Sequence, residues 1–199
     1  MQSKSALGIL FRIPEFGKVK SRLAAQLGDE RALSLYKVML QQTMQKAKDL
    51  RGVEAYGFYD GNIEAFDNQI GLTLYGQQGK DLGEKMLNAF IRLFALGFNR
   101  VCLIGSDSPT VPELYIYNAL DLLSEYHLVL GPCQDGGYYL IGLKSAMPEL
   151  FEGIPWGSGD VLSVTIKKAA VLNISYSMLP AWYDIDTPED LQSWVGVSN

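Results

Sequence analysis

The chain has 199 residues and a formal net charge of −5, with 48% hydrophobic and 20% charged residues. This composition is typical of a globular domain and excludes a disordered chain, while the negative charge argues against a nucleic-acid partner. No apolar run approaches the ~20 residues that span a bilayer, and Arg12 and Pro14 interrupt the segment ALGILF before it could serve as a signal peptide. We therefore expect a single domain over residues 1–199, in the cytoplasm and without a membrane partner.

Short apolar segments alternate along the chain with segments of helical periodicity, which predicts a layered α/β fold with a largely parallel sheet. Strands are predicted at Ala6–Arg12, Val53–Tyr59, Leu72–Tyr75, Arg100–Gly105, His127–Gly131, Gly137–Leu143 and Val171–Leu179. Helices are predicted at Glu30–Leu50 with Asp29 as N-cap, and at Asp81–Leu96, Val111–Ser124, Ser158–Ala170 and Pro188–Val195. The segment GPCQDGGYYLIGL joins two strands through a turn too short for a helical crossover, so this pair should be antiparallel and the sheet mixed.

Cysteine and histidine are scarce, which limits the chemistry the chain can perform. Cys102 and Cys133 lie in or beside predicted buried strands, and we interpret both as small core residues that stay reduced. His127 is the only histidine and begins a strand, so we interpret it as structural. A single histidine largely excludes Ser-His-Asp hydrolysis and zinc chemistry through several histidines.

The strand Arg100–Gly105 is followed by an acidic turn, Ser106-Asp107-Ser108-Pro109. Ligands of open α/β sheets collect at the carboxyl ends of the strands, and Mg²⁺ prefers one or two carboxylates together with phosphate oxygens. Asp107 is therefore a candidate metal ligand, with Ser106 beside it as a candidate nucleotide-binding residue. The alternative is a turn or helix N-cap role for Asp107.

The segment YDIDTPEDL contains two acids that are two residues apart. In extended backbone such residues face the same side, so Asp184 and Asp186 can approach one cation while Ile185 points into the core. Thr187 and Pro188 also form a good helix start, as N-cap and first helical residue. Asp186 would then merely favour the helix dipole, and this alternative stays open.

Two further glycine-containing segments carry charges that suit a nucleotide. In FGKVKSRL, after the first strand, Gly17 permits a tight turn, and three cations follow in a short span, Lys18, Lys20 and Arg22. The segment is not a P-loop, and a surface basic cluster is the alternative. In GQQGKDLGEKM, Asp81 and Glu84 have the spacing of a capping box. The flanking glycines would let a ligand approach the helix N-terminus, which makes nucleotide-binding candidates of Gly79, Asp81 and Gly83.

The turn between the two antiparallel strands is richer than a hairpin requires. Its Asp135-Gly136 pair is an ordinary turn signal, but Gly137 and Tyr138 follow at once. We therefore expect a substrate-binding loop formed by Asp135, Gly136, Gly137 and Tyr138.

Taken in order, these motifs resemble the glycosyltransferase-like transferases associated with radical-SAM and selenium-domain proteins, a family of unknown reaction related to phospholactate and molybdenum-cofactor guanylyltransferases. The resemblance covers nearly the whole chain through GKVKSRL, DLGEKM, IGSDSP, GPCQDGGYYLIGL, PWGSG and DIDTPEDL. It implies the nucleotide-diphospho-sugar transferase fold, a Rossmann-like three-layer α/β/α sandwich with a mixed, mostly parallel sheet. The chain departs from the family pattern at Ser21, where threonine is usual, at Lys85, where arginine is usual, and at Gly157-Ser158-Gly159. It also lacks the Gly-Gly and Arg-Met pattern of better-known nucleotidyltransferases.

The resemblance implies roles for particular residues. Asp107 is similar to the family's metal carboxylate, Asp184 or Asp186 to the second metal group, and Lys20 and Arg22 to its phosphate-binding residues. The acceptor would lie at Asp135, Gly136 and Gly137.

The hypothesis that follows is a transferase dependent on Mg²⁺ or Mn²⁺, in which Lys18, Lys20 and Arg22 neutralise charge on the leaving phosphates. Its partners would be a nucleotide or sugar nucleotide and a small-molecule acceptor, and a homodimer is left open. The first loop's cations suit a triphosphate and favour nucleotidyl transfer over glycosyl transfer from a sugar nucleotide. A non-catalytic nucleotide-binding module is the rival from another class, although it has no reason to keep several mutually repelling acids.

Overall fold

The computed structural model of the protein describes residues 4–195. Over this range the strands are β1 (Ser5–Arg12), β2 (Val53–Asp60), β3 (Thr73–Gly76), β4 (Arg100–Gly105), β5 (Leu128–Pro132), β6 (Tyr138–Leu143) and β7 (Tyr176–Met178). The helices are α1 (Ser21–Leu27), α2 (Asp29–Asp49), α3 (Leu82–Ala95), α4 (Glu113–Leu122), α5 (Pro148–Phe151), α6 (Val161–Val171) and α7 (Pro188–Val195), with a 3-10 turn at Ile63–Ala65. No helix in the described range is long and apolar enough to cross a membrane.

The seven strands form one sheet in the order β3-β2-β1-β4-β6-β5-β7. Strand β1 lies near its centre and pairs in parallel with β2 on one side and β4 on the other. Strand β6 runs antiparallel to both of its neighbours, β4 and β5. The mixed, mostly parallel sheet predicted from the sequence is confirmed, including the antiparallel pair joined by the turn at Asp135.

Helices cover both faces of this sheet, because successive side chains of each strand point to opposite sides. In β1, Leu7, Ile9 and Phe11 belong to one buried cluster, which also takes in apolar residues of α2 and α4. Ala6 belongs to the cluster on the other face, with apolar residues of α3, α5 and α6. The three-layer α/β/α arrangement implied by the resemblance is therefore confirmed.

A third, smaller cluster joins α1, α2 and α7 at one edge of the molecule. Leu23, Met39 and Ile185 are fully buried in it. This cluster matters for function, because it packs Ile185, in the segment before α7, against helix α1.

The structure differs from several of the predicted elements. The predicted strand Val171–Leu179 shrinks to β7, because α6 continues through Val171 and ends only where Asn173 adopts a left-handed conformation (φ 54°) and the Ile174 N–H bonds back to Ala169. Helix α1 was not predicted, since seven residues are too few to show periodicity. Asp29 is the first residue of α2 rather than its N-cap; that position belongs to Gly28, with φ 80°.

Candidate active site

A cleft of about 590 Å³ opens at the carboxyl ends of the central strands. It is lined by the end of β1, the loop into α1, the start of α3 and the residues after β4. Parallel strands bring their carboxyl ends to the same edge of a sheet, which is where α/β proteins bind ligands. Of the residues predicted from the sequence, the cleft gathers Lys18, Lys20, Arg22, Asp81, Ser106, Asp107 and Asp186.

Lys20 lies between two of the predicted acids. Its Nζ atom is 2.6 Å from Oδ1 of Asp107 and 2.7 Å from Oδ1 of Asp186, and only 5% of its side chain is exposed. Burial opposes the charged form, but the two carboxylates outweigh it and raise the pKa of Lys20 above its usual value. Lys20 is therefore a fixed positive charge that holds the two acids together.

The backbone at Lys20 is itself unusual. Lys20 is the N-cap of α1 and has φ 50° and ψ 49°, the left-handed region that residues with a side chain seldom adopt. In the described part of the chain, Asn173 is the only other non-glycine residue with positive φ. Such a conformation persists only where surrounding contacts hold it, and here the ammonium also donates to the carbonyl oxygen of Ile185 at 2.8 Å.

Asp184 lies next to this cluster, on a short segment docked on the turn after β4. Its carboxylate accepts a hydrogen bond from the Ser108 hydroxyl, and the backbone N–H of Ile185 donates to the Asp107 carbonyl at 2.9 Å. Burial raises the pKa of Asp184, and the negative charges of Asp107 and Asp186 add to this effect against the hydrogen bond from Ser108. The three acids predicted to share a cation thus feel one another's charge.

Helix α2 supports the turn that carries Asp107. The Tyr36 hydroxyl is buried, lies 3.1 Å from Oγ of Ser106, and bonds to both the N–H and the carbonyl of Arg12 at 3.0 Å. Further along the same helix, Lys46 donates to the carbonyls of Pro109 and Val111 at 2.5 Å. These two side chains fix the ends of β1 and β4, so the acidic turn is a rigid part of the fold.

The turn between β5 and β6 reaches the same acids. Ligand atoms of Cys133, Asp135 and Asp184 all lie within 4.8 Å of one another. Burial raises the pKa of the Cys133 thiol, which makes it a poor thiolate ligand near neutral pH. Oδ1 of Asp135 accepts from the Gly137 N–H at 2.9 Å, so the predicted acceptor loop is an ordered turn beside Asp184.

Several predicted residues have structural partners instead of an open approach to the cleft. A Cβ on Gly83 would lie 2.6 Å from the Trp156 indole, and one on Gly79 would lie 2.6 Å from Cβ of Glu84. Close packing is thus one reason for glycine at both positions, and their role in nucleotide binding stays a prediction. Gly136 likewise permits close packing, since a Cβ there would lie 2.0 Å from the carbonyl oxygen of Gly159.

The remaining predicted residues keep their side chains on the surface or at its edge. Lys18 pairs with Glu15 at 2.6 Å and Arg22 is 3.8 Å from Asp186, both with largely exposed side chains. Asp81 caps α3 by accepting from the Glu84 N–H at 2.9 Å. Gly17 has φ 70°, and a Cβ placed there would meet no atom within 4 Å, as expected for a free turn.

Sequence reasoning missed the opposite wall of the cleft. Asp60 ends β2 and forms a 2.8 Å ion pair with Lys85 of α3, and Gln77, in the loop before that helix, lines the cleft beside them. The signal was present, because Asp60 follows an apolar strand in the same way that Asp107 follows β4.

Comparison with known proteins agrees with this architecture. The sequence profile described as "Uncharacterized protein conserved in bacteria (DUF2064)" matches residues 39–158, more than half of the chain. The chain belongs to the DUF2064 family. A crystal structure from Desulfovibrio desulfuricans G20, provisionally described as a nucleotide-diphospho-sugar transferase, is similar to this DUF2064 chain with a TM-score of 0.92 and 36% identity, covering 100% of this chain and 89% of that one.

More distant similarities extend to a named guanylyltransferase and to a structure solved with manganese. A 2-phospho-L-lactate guanylyltransferase of Methanocaldococcus infernus is 25% identical over 191 residues, which is 93% of this chain and 82% of that protein. A Mycobacterium tuberculosis H37Rv protein solved as a manganese complex shares the fold, with a TM-score of 0.56, 14% identity and coverage of 98% and 100%. The DUF2064 chain is thus a nucleotidyltransferase-like member of the nucleotide-diphospho-sugar transferase superfamily.

Proposed function

We propose that this chain is a metal-dependent nucleotidyltransferase that acts on a nucleoside triphosphate and a small phosphorylated or carboxylated acceptor. The observation that carries the proposal is the buried Lys20 ammonium held between Asp107 and Asp186 at the strand ends of the cleft. Acids and a fixed cation gathered at one open edge suit phosphate chemistry, in which catalysis is largely positioning and charge stabilisation. The similarity to guanylyltransferases supports the same class of reaction.

The acidic residues fit a divalent cation. Asp107 and Asp186 both contact the Lys20 ammonium, and the charges of both act on Asp184. Their carboxylate oxygens are of the type that Mg²⁺ and Mn²⁺ prefer. Burial raises the pKa of Asp184. A cation beside this carboxylate would stabilise its ionised form and so offset the effect of burial. These three residues would hold the ion, and a bound ion would neutralise charge on the nucleotide phosphates.

The chain's own cations have a matching task. In the proposed step, an acceptor oxygen forms a bond to the α-phosphorus, and the bond from that phosphorus to the bridging oxygen breaks to release pyrophosphate. Lys20 stabilises the charge that develops there, and the exposed Lys18 and Arg22 bind the outer phosphates. Gly17 provides the turn that presents them, and Ser106 and Asp81 line the same cleft.

The acceptor would approach from the turn between β5 and β6. This turn lies beside Asp184, and its backbone is ordered by the Asp135–Gly137 hydrogen bond. Tyr138 lines the cavity that continues from Asp107 and Asp184 towards α3. We therefore assign acceptor binding to Asp135, Gly136, Gly137 and Tyr138.

The test is a turnover screen that measures pyrophosphate release. The protein would be incubated with each of the four nucleoside triphosphates, Mg²⁺ or Mn²⁺, and a panel of small phosphorylated and carboxylated acceptors, in parallel with sugar nucleotides. We expect pyrophosphate and a nucleotidylated acceptor, abolished by a chelator. Nucleoside diphosphate release from a sugar nucleotide would assign glycosyl transfer instead, and binding without turnover across the panel would assign a non-catalytic module.

A further inference from the structure

The wall of the cleft opposite the acid cluster carries polar groups of its own. Asp60 pairs in register with Arg12 at the end of β1, and Gly105 pairs with Leu10 on the other side of the same strand. Adjacent strands are ~4.8 Å apart, so the ends of β2 and β4 are separated by about 10 Å across β1. A nucleotide whose phosphates lie at Asp107 can therefore extend its base to the end of β2.

The Asp60 carboxylate at this position is held in place and keeps acceptor capacity. Oδ2 accepts from Nζ of Lys85 at 2.8 Å, and no hydrogen bond to Oδ1 occurs within the part of the chain described. The side chain is 40% exposed. A carboxylate has about four lone-pair sites, so Asp60 can accept from a ligand without giving up Lys85.

Gln77 places a second acceptor beside it. Its Nε2 atom donates to the backbone carbonyls of Phe11 at 3.1 Å and Phe58 at 2.9 Å. Carbonyl oxygens only accept hydrogen bonds, so the NH₂ group must face them, and this fixes the orientation of the amide. Within residues 4–195 the Oε1 atom has no partner and is not among the buried unsatisfied atoms, so it is open to a ligand.

We propose that Asp60 and Gln77 select guanine as the base of the nucleotide, an inference that rests on the proposed nucleotidyl transfer. Guanine presents two adjacent donors, the ring N1–H and the 2-amino group, which match a carboxylate and a second fixed acceptor. Adenine and cytosine place a ring acceptor next to their single amino donor, and that acceptor would face the lone pairs of Asp60. Lys85 acts as a positioning residue, because it orients Asp60.

The experiment measures dissociation constants by calorimetry in Mg²⁺, using GTP, ITP, XTP and CTP. Inosine lacks the 2-amino group, and xanthine has a carbonyl in its place. We expect wild type to bind GTP at least about 10-fold more tightly than ITP or CTP, because each of these leaves an acceptor unpaired. Equal affinities for GTP, ITP and CTP would overturn the base assignment without the need for any variant.

The variant Asp60→Asn adds a gain of function that a merely structural role would not produce. Its amide can donate to the 2-carbonyl of xanthine, so we expect the GTP preference over XTP to fall by about 10-fold or more. Asp49→Asn, the same change in an exposed side chain at the end of α2, should leave the order of affinities unchanged. An Asp60→Asn variant with the wild-type order would overturn the assignment. Failure of all four nucleotides to bind would overturn the base assignment. The proposed function would be overturned only if the turnover screen with ATP, CTP, GTP and UTP failed as well.

Discussion

Each side of the cleft carries an ion pair between a lysine and an aspartate, and the two lysines differ in how deeply they are buried. On one side Lys20 pairs with Asp107 at 2.6 Å, and on the other Lys85 pairs with Asp60 at 2.8 Å. The Lys20 side chain is 5% exposed and has a second carboxylate, whereas Lys85 is 23% exposed with one. A buried ion pair cannot exchange partners without a large desolvation cost, while an exposed pair can. The difference therefore lies in the lysines: Lys20 is a buried, fixed charge, whereas Lys85 is partly open to solvent.

The largest effect should come from removing the negative charge of Asp107, which pairs with the buried Lys20. Asp107→Asn should lower kcat/KM of the proposed transfer by about 100-fold or more, because it removes a ligand and a charge at the reacting phosphates. The measurement is steady-state pyrophosphate release. Asp121→Asn, in an exposed side chain of α4, is the matched control, and equal losses in the two variants would contradict the assignment.

Removing the buried cation should reduce stability as well as activity. Lys20→Met leaves two carboxylates that repel each other, and we expect a loss of about 2 to 3 kcal/mol in the free energy of unfolding, less than for a fully buried pair because both acids are partly exposed. Urea denaturation measures it, with Lys37→Met on the surface of α2 as control. Lys20→Met combined with Asp107→Asn should recover part of the loss.

The same variant has a defined pH dependence. The pKa of Lys20 is raised above its usual 10.5, so its contribution is fully present below that value and is lost only as pH rises through the folded-state pKa. The stability difference between wild type and Lys20→Met should therefore stay constant between about pH 6 and about pH 9. A difference that decayed across this range would contradict a charged, paired Lys20.

Packing at the start of α3 should have a smaller effect. In Gly83→Ala the new methyl group would lie 2.6 Å from the Trp156 indole, and we expect a loss of about 1 to 2 kcal/mol in unfolding free energy. Thermal and urea denaturation both measure it. Adding Trp156→Leu should relieve the collision, and a Gly83→Ala protein as stable as wild type would show that the indole moves freely.

The smallest effect concerns the cap of α7, which follows the acidic segment. Asp190 accepts hydrogen bonds from the N–H and hydroxyl of Thr187 at 2.8 and 2.9 Å, so Asp190→Asn should cost about 1 kcal/mol. Although burial opposes ionisation, these hydrogen bonds lower the pKa of Asp190 below 3.8. The stabilisation is present above that value and is lost as pH falls through the lowered pKa. Denaturation at pH 7 and pH 3 tests this, with Glu189→Gln as control.

The sequence motifs identified the acids around Lys20 as candidate site residues, but they did not identify Asp60 and Gln77 on the other side of the cleft. Asp107 follows an apolar strand and Asp184 and Asp186 precede a helix start, so their place in loops could be derived from local patterns. The role of Lys20 between the acids could not, because it depends on a left-handed residue and on a contact across 166 positions of the chain. The packing role of Gly83 could not be derived either, since it depends on Trp156, which is distant in the sequence.

The left-handed backbone at Lys20 restricts which residues evolution can accept at this position. Glycine and asparagine tolerate φ 50° most readily, yet neither carries the charge that two carboxylates require. Arginine keeps the charge, but its planar guanidinium is larger than the lysine ammonium that lies between the two carboxylates. The geometry and the charge together leave lysine with few substitutes, so drift at residue 20 should be accompanied by changes at residues 107 and 186.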